Sequence, residues 1–186
     1  SLSKNMQIHF KGFADMVMNR FFSGRTDPFV VELGSNDGIM LENFKNNNFR
    51  HLGCEPSSNV GDVAREKGIN TITEFFSLAL AEQIVEQHGK ADAVICANVM
   101  CHIPDMNNIA EGIAKLLASD GVLVFEEPYL GDMIAKISYD QIYDEHVYIF
   151  SAHSVRSIFS RHGLELIDLL HQKTHGGSMR YVLAPK

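Results

Sequence analysis

The sequence predicts an α/β protein with a doubly wound, mostly parallel sheet that closes in an antiparallel C-terminal hairpin. The runs Phe29–Leu33 and Ala91–Ala97 are apolar without strict alternation, which is typical of strands buried on both faces of a parallel sheet. Segments with helical periodicity separate these runs along the chain. Near the C-terminus, two apolar runs flank Gly176 and Gly177, so we expect an antiparallel pair at a sheet edge.

The first half of the chain supplies three strands and the helices between them. Phe10, Phe13 and Val17 recur at helical spacing and predict the first helix. Pro28 precedes the first strand, and Pro56 stops the second just before serines that can cap a helix. The predicted helices cover residues 4–22, 39–45 and 57–67, and the predicted strands cover residues 29–33, 50–55 and 70–73.

The second half continues the alternation and then changes to strands alone. Pro104 and Asp105 are typical of a helix start, since proline fits the first turn and aspartate caps it. The predicted helices cover residues 78–88, 105–117 and 153–162, and the predicted strands cover residues 91–97, 121–126, 164–170 and 178–184.

Composition limits the class of protein. At 186 residues with 45% hydrophobic content, the chain can bury one core, so a single domain over residues 1–186 is expected. The net charge of −7 argues against nucleic acid as a partner, because binding a polyanion needs a basic stripe. No apolar run reaches membrane-spanning length, so no membrane partner is expected.

The three cysteines predict neither a disulfide framework nor a metal centre. Cys54 and Cys96 lie in or beside apolar runs, and with Cys101 they form no C-x-x-C pair. We therefore expect buried thiols in a reduced, cytoplasmic protein and no metal site.

The loop after the first strand predicts a cofactor site. Residues 30–38 run from a buried strand through an acid, Glu32, into a loop bounded by Gly34 and Gly38. Small residues let the backbone approach a ligand, and the following helix start offers unpaired N–H groups. Glu55 ends the next apolar run, at the position where a carboxylate meets ribose hydroxyls in such folds. An ordinary β–α turn is the alternative interpretation.

The same loop argues against a dinucleotide. The G-x-G-x-x-G pattern needs glycine where this chain has Asn36 and Ile39. Glu32 and Asp37 place carboxylates where a pyrophosphate would be repelled. S-adenosylmethionine, which carries an ammonium, a sulfonium and a ribose diol but no phosphate, suits these charges.

Several motifs together carry a family resemblance. Glu32–Gly38 resembles the first motif of class I S-adenosylmethionine-dependent methyltransferases, usually E/D-x-G-x-G-x-G, with Asn36 in place of the middle glycine. With the C-E-P-S that follows, the blocks are similar to the sugar C-methyltransferases that act on nucleotide-linked keto-sugars. The further blocks lie at residues 98–105, 127–130, 143–146 and 175–180.

The resemblance implies a Rossmann-like class I methyltransferase fold and a place within a longer protein. Family members carry a cysteine-rich zinc-binding segment before the methyltransferase core and a second α/β domain after it. The chain thus resembles the central domain, and a family tyrosine near the active site would precede Ser1. The resemblance therefore does not predict whether this domain is active by itself.

A carbon acceptor requires a base and a group that steadies an enolate. Tyr143, Glu145 and His146 follow the fifth strand and His102 follows the fourth, so all four are expected at the ligand edge of the sheet. An imidazole suits proton abstraction and a phenol suits an oxyanion. In the resembled family the matching residues form the active site, with His146 the favoured base. The alternatives are a loop histidine at position 102 and a solvated turn at residues 143–146.

The predicted roles and the open alternatives are these. Methyl transfer from S-adenosylmethionine to a carbon of a nucleotide-linked keto-sugar is the first hypothesis. O- or N-methylation of another small metabolite is the second, and a cofactor-binding domain that is inactive without its neighbours is the third. Residues 175–178 form either an anion-binding turn or a plain hairpin. The predicted catalytic residues are His146, Glu145, Tyr143 and His102, and the predicted cofactor-binding residues are Glu32, Gly34, Asn36, Asp37, Gly38, Glu55, Pro56, Phe76 and Asn98.

Overall fold

A mixed sheet forms the centre of the fold in the computed structural model, which describes residues 4–186. Over those residues it has seven strands, in the order β3-β2-β1-β4-β5-β7-β6. The strands are β1 Phe29–Leu33, β2 Arg50–Cys54, β3 Thr71–Ile72, β4 Ala91–Ala97, β5 Leu117–Pro128, β6 Leu164–Gln172 and β7 Ser178–Pro185.

The helices lie before and between these strands. Ser77 and Asp105 each accept a hydrogen bond from a backbone N–H three residues later, which fixes where two of the helices begin. The helices are α1 Lys4–Phe21, α2 Leu41–Asn46, α3 Ser58–Glu66, α4 Leu78–His88, α5 Met106–Leu116, α6 Leu130–Lys136 and α7 Ala152–Ser160.

Strands β1 to β5 are parallel, and β7 runs antiparallel between β5 and β6. Side chains of β1 alternate between two cores, with Val31 on one face and Val30 on the other. Helices α4, α5 and α7 cover the first face, and α1, α2 and α3 cover the second. Topology therefore brings the carboxyl ends of β1 and β4, the two central neighbours, to one edge.

The predicted fold class is confirmed, and most predicted elements lie within two residues of their observed bounds. Two predictions were incomplete. Strand β5 begins at Leu117 rather than at Gly121, since its first residues pair with Ala91 before the register shifts. Helix α6 was missed, because Met133 is its one buried residue and so short a pattern gives no periodicity. Among residues 4–186, no helix is both long and apolar enough to span a membrane.

Candidate active site

A cavity of about 760 Å³ opens at the carboxyl edge of the parallel strands. This is where ligands bind in doubly wound sheets, at the point where the strand order reverses between β1 and β4. The first strand and its loop contribute one wall, β2 and the segment after it a second, and the segment after β4 a third. The predicted cofactor-binding residues that line it are Glu32, Gly34, Asn36, Glu55, Pro56, Phe76 and Asn98.

Glycine at position 34 is required by both conformation and space. Its φ is +63°, a left-handed conformation that glycine adopts without strain. A Cβ there would lie 2.5 Å from Cγ2 of Val99, on the loop after β4. The Gly34 N–H donates to the Cys54 carbonyl at 2.8 Å, so the loop stays close to β2 and leaves the cavity open.

Glu55 fixes the shape of the cavity rim through its carboxylate. Its Oε2 accepts the backbone N–H of Asn36 at 2.9 Å, and its Oε1 accepts that of Ser57 at 2.9 Å. Each carboxylate oxygen can accept a second hydrogen bond, so both remain available to hydroxyls of a ligand.

Glu32 lies fully buried beneath the glycine loop. Burial raises the pKa of its carboxyl well above 4.5, with added repulsion from Asp37 and Glu55. Its Oε2 has no hydrogen-bond partner among residues 4–186. A buried, unsatisfied carboxyl oxygen beside a cavity is costly unless a ligand donates to it or brings positive charge.

The charge of the cavity wall is one-sided. Glu32, Glu55 and Asp105 line it, whereas among the described residues no lysine or arginine does. A cavity with three carboxyl groups and no fixed cation favours a ligand with positive charge over one with phosphates.

Two predicted cofactor residues lie elsewhere. Asp37 turns away from the cavity and pairs with Lys67 at 2.6 Å. Gly38 is buried with φ +79°, and a Cβ there would lie 2.7 Å from Ile69. Both therefore shape the turn into α2 and do not reach the cavity, which corrects their predicted placement.

Other walls were not foreseen. Met6 and Phe10 of α1 line the cavity, although their spacing had indicated a helix face packed on the core. His175 lines it as well, and Asn98 Nδ2 donates to His175 Nε2 at 3.4 Å. Asn36, Asn98 and His175 all have φ near +50°, and such conformations in non-glycine residues cluster at functional sites. The H-G-G-S motif was the available signal for His175.

Residues 141–148, which include the predicted catalytic residues Tyr143, Glu145 and His146, fix the tautomer of His146. Because a carbonyl can only accept, the 2.7 Å contact with the Gln141 carbonyl places the imidazole proton on Nδ1. Nε2 then bears the lone pair, and it accepts the Tyr143 hydroxyl at 2.8 Å. Desolvation, with nearby Cys101, Glu145 and Glu127, raises the pKa of Tyr143, so the phenol keeps its proton.

His102 contacts residues 141–148 and also lines the cavity. Its Nδ1 donates to the Glu145 carbonyl at 2.9 Å, and its ring centroid lies 4.9 Å from that of His146. His102 lines the cavity itself, whereas His146 and Tyr143 do not line it. The structure thus brings together the four residues predicted as catalytic.

The catalytic role predicted for Glu145 stays a prediction. Glu145 is exposed, and it contacts His102 through its backbone carbonyl. Within residues 4–186, the group bonded to His146 Nδ1 is the Gln141 carbonyl, which therefore orients the imidazole. A backbone contact of this kind has no signature in the sequence.

The absence of a metal site remains a prediction. Ligand atoms of Cys101, His102 and His146 lie within 4.8 Å of one another. However, burial and the nearby Glu127 raise the pKa of the Cys101 thiol, and a protonated thiol is a poor metal ligand.

The sequence matches the model of one protein family, described as a methyltransferase domain, over residues 6–169. Among curated proteins it is similar to the C-methyltransferase NovU of Streptomyces niveus, with 36% identity over 178 residues. That match covers 95% of this chain and 42% of NovU, so the chain spans about two fifths of that relative. The ubiquinone biosynthesis O-methyltransferase of Vibrio cholerae is 27% identical over 101 residues, covering 52% of this chain and 40% of the relative.

Solved structures share the fold. The magnesium protoporphyrin IX methyltransferase ChlM of Synechocystis, solved with bound SAH, superposes with a TM-score of 0.71 at 16% identity, covering 100% of this chain and 89% of that one. A S-adenosylmethionine-dependent methyltransferase of Clostridium acetobutylicum gives a TM-score of 0.71 at 12% identity, covering 95% and 92%. At such identities the likeness concerns the fold.

Proposed function

Since the chain belongs to the methyltransferase domain family, we propose that its cavity binds S-adenosylmethionine and that it methylates a carbon of a nucleotide-linked keto-sugar. The observation that carries the cofactor assignment is the set of three carboxyl groups on a wall without lysine or arginine. The observation that carries the reaction type is the Nε2 lone pair of His146 beside a protonated phenol.

The residues present fit this cofactor. The Glu55 carboxylate can accept hydrogen bonds from the ribose hydroxyls. The unpartnered Oε2 of Glu32 can contact a cationic or hydrogen-bond-donating group of the ligand. Phe76 and Asn98 also line the cavity, and we place the adenine beside them. When bound, S-adenosylmethionine supplies an electrophilic methyl group.

The remaining chemistry falls to the chain. A proton passes from the carbon next to the substrate carbonyl to His146 Nε2, and the electron pair stays on the substrate as an enolate. Tyr143 then donates its hydroxyl to the enolate oxygen rather than to the imidazole. His102, at the cavity wall, is placed to hold the substrate. The methyl group for the nucleophilic carbon would come from the sulfonium of the cofactor, whose C–S bond would break to leave a neutral thioether, and the proton on His146 passes to solvent.

Two other functions are separated by particular observations. Similarity to the ubiquinone O-methyltransferase supports transfer to oxygen, in which the same histidine would deprotonate a hydroxyl. The 42% coverage of NovU supports a domain that binds the cofactor but needs further segments to hold its substrate.

Nuclear magnetic resonance in deuterium oxide distinguishes these functions. The protein, in its full reading frame, is mixed with a nucleotide-linked keto-sugar, with and without S-adenosylmethionine. We expect deuterium to enter at the carbon next to the carbonyl without the cofactor, and a carbon-bound methyl group to form with it. An oxygen-bound methyl group with no exchange at carbon would contradict the proposal and favour O-methylation.

Glu55→Ala should weaken binding of S-adenosylhomocysteine roughly 10- to 100-fold, as for loss of hydrogen bonds to a charged group. Both the direct contacts and the bond to the Asn36 N–H are lost in this variant. Isothermal titration calorimetry measures the effect. Glu66→Ala, at an exposed position of α3, is the matched control and should bind as the unmodified chain does. Equal affinity of the two variants for S-adenosylhomocysteine would show that Glu55 does not bind the cofactor.

A further inference from the structure

Glu127, at the end of β5, is a buried carboxylate that the proposed chemistry does not use. It is completely inaccessible to solvent, and burial raises the pKa of its carboxyl to about 7 against the opposing effect of its hydrogen bonds. An apolar side chain would avoid this cost if the position only filled the core.

The loop after β4 is attached to this carboxylate. Oε1 accepts the backbone N–H of Val99 at 2.8 Å and that of Met100 at 2.7 Å. The Cys101 thiol lies near the same carboxyl group, whose Oε2 has no hydrogen-bond partner among residues 4–186. Two donors on consecutive residues share one oxygen, so an acceptor at this position fixes the loop, which an apolar side chain could not do.

The anchored loop in turn holds both halves of the site. On one side, Val99 packs where a Cβ on Gly34 would lie, and so contacts the glycine loop. On the other side, the Cys101 carbonyl accepts the N–H of Val147 at 2.8 Å and that of Tyr148 at 3.3 Å. The segment that carries His146 is therefore one hydrogen bond away from the residues that Glu127 fixes.

We propose that Glu127 is a positioning residue, whose carboxylate holds residues 99–101 so that the cofactor cavity and the His146 segment keep their relative placement. Its effect on catalysis rests on the proposed function, but its effect on the two loops does not.

The neighbouring acid provides a matched control. Glu126 points to the opposite face of β5, where it accepts hydrogen bonds from His9 of α1 and from Arg180 of β7. Both glutamates are buried at adjacent positions of one strand, although Glu126 also pairs with the buried Arg180. They differ in which segments they hold.

Hydrogen–deuterium exchange with mass spectrometry tests the proposal on the whole chain. In Glu127→Leu we expect exchange to rise about 10- to 100-fold in peptides covering residues 98–103 and 143–149. The α1 peptide should keep its rate. Glu126→Leu should show the reverse, with faster exchange in α1, because it removes the acceptor of the His9 hydrogen bond. Glu127→Gln retains an acceptor oxygen for Val99 and Met100 and should restore slow exchange in both peptides.

Other outcomes overturn the proposal. Faster exchange in Glu127→Leu confined to residues 98–103, or the same pattern in both glutamate variants, would mean that Glu127 does not position residues 141–148. If Glu127→Leu does not fold, Glu127→Asp replaces it in the test, because aspartate is shorter by one methylene and draws the carboxylate away from the loop. The same two peptides should then exchange faster. In the methyl-transfer assay with the nucleotide-linked keto-sugar, Glu127→Gln should have a higher kcat than Glu127→Leu or Glu127→Asp. If the unmodified protein transferred no methyl group while the variants showed the predicted exchange pattern, the proposed function would be rejected. The positioning role of Glu127 would still stand.

Discussion

His146→Ala should abolish both deuterium exchange into the keto-sugar and methyl transfer, with a loss on the order of 10²–10⁴-fold in rate. The reason is that the Nε2 lone pair, fixed by the bond from Nδ1 to the Gln141 carbonyl, is the proposed proton acceptor. Binding of S-adenosylhomocysteine should be unchanged, since His146 does not line the cavity. Nuclear magnetic resonance measures the loss of the proton signal at the substrate carbon.

Two variants control this result. Tyr143→Phe removes the hydroxyl bonded to Nε2 and should reduce methyl transfer more than it reduces cofactor binding. Glu145→Gln should have a smaller effect than either, because its contact to His102 is made by the backbone. If His146→Ala exchanged deuterium at the normal rate, the base would have to be another group, with Tyr143 the next candidate.

Arg180→Met should destabilise the fold by about 3 kcal/mol at pH 7, the lower end of the usual cost of breaking a buried ion pair, because His9 and Thr174 still contact Glu126. Arg180 Nε and Nη2 donate to Glu126 Oε2 at 3.1 and 2.8 Å, and both side chains are almost fully buried. The guanidinium also lies 4.2 Å from the ring centroid of Phe13 in α1. Urea unfolding measures the free energy of unfolding.

The pH dependence of that loss has a definite sign. Burial opposes ionisation of Glu126, but His9 and Arg180 outweigh it, so its pKa lies below 4.5. Such a group stabilises the fold above its unfolded pKa and loses this contribution as pH falls through the folded one. The deficit of Arg180→Met should therefore be greatest at neutral pH and shrink below about pH 4.5. Adding Glu126→Gln should recover part of the loss, and a deficit that is the same at pH 4 and pH 7 would contradict this account.

The fold was largely predictable because each strand carries its own local pattern. Phe29–Leu33 and Ala91–Ala97 were predicted to the residue, since buried parallel strands have continuous apolar runs between clear breaks. The positions of Glu32, Gly34 and Glu55 on the cavity wall were predictable, because a strand end and a fixed spacing position them. Asp37 differs from the prediction because its partner, Lys67, lies 30 residues away in sequence.

The rest depends on contacts that cross the chain. The four predicted catalytic residues do lie together, yet the group that orients His146 is a backbone carbonyl, which any residue at position 141 would supply. Glu127 anchors a loop 28 residues earlier in the chain, and Met6 and Phe10 reach the cavity only because α1 crosses the sheet edge. Local periodicity does not contain such information.

Calorimetric titration of the chain with S-adenosylhomocysteine and, separately, with NAD tests the central claim most directly. We predict saturable binding of S-adenosylhomocysteine at one site per chain and no detectable heat from NAD, because carboxyl groups line the cavity and lysine and arginine do not, among the residues described. Tight binding of NAD with no response to S-adenosylhomocysteine would contradict the assignment.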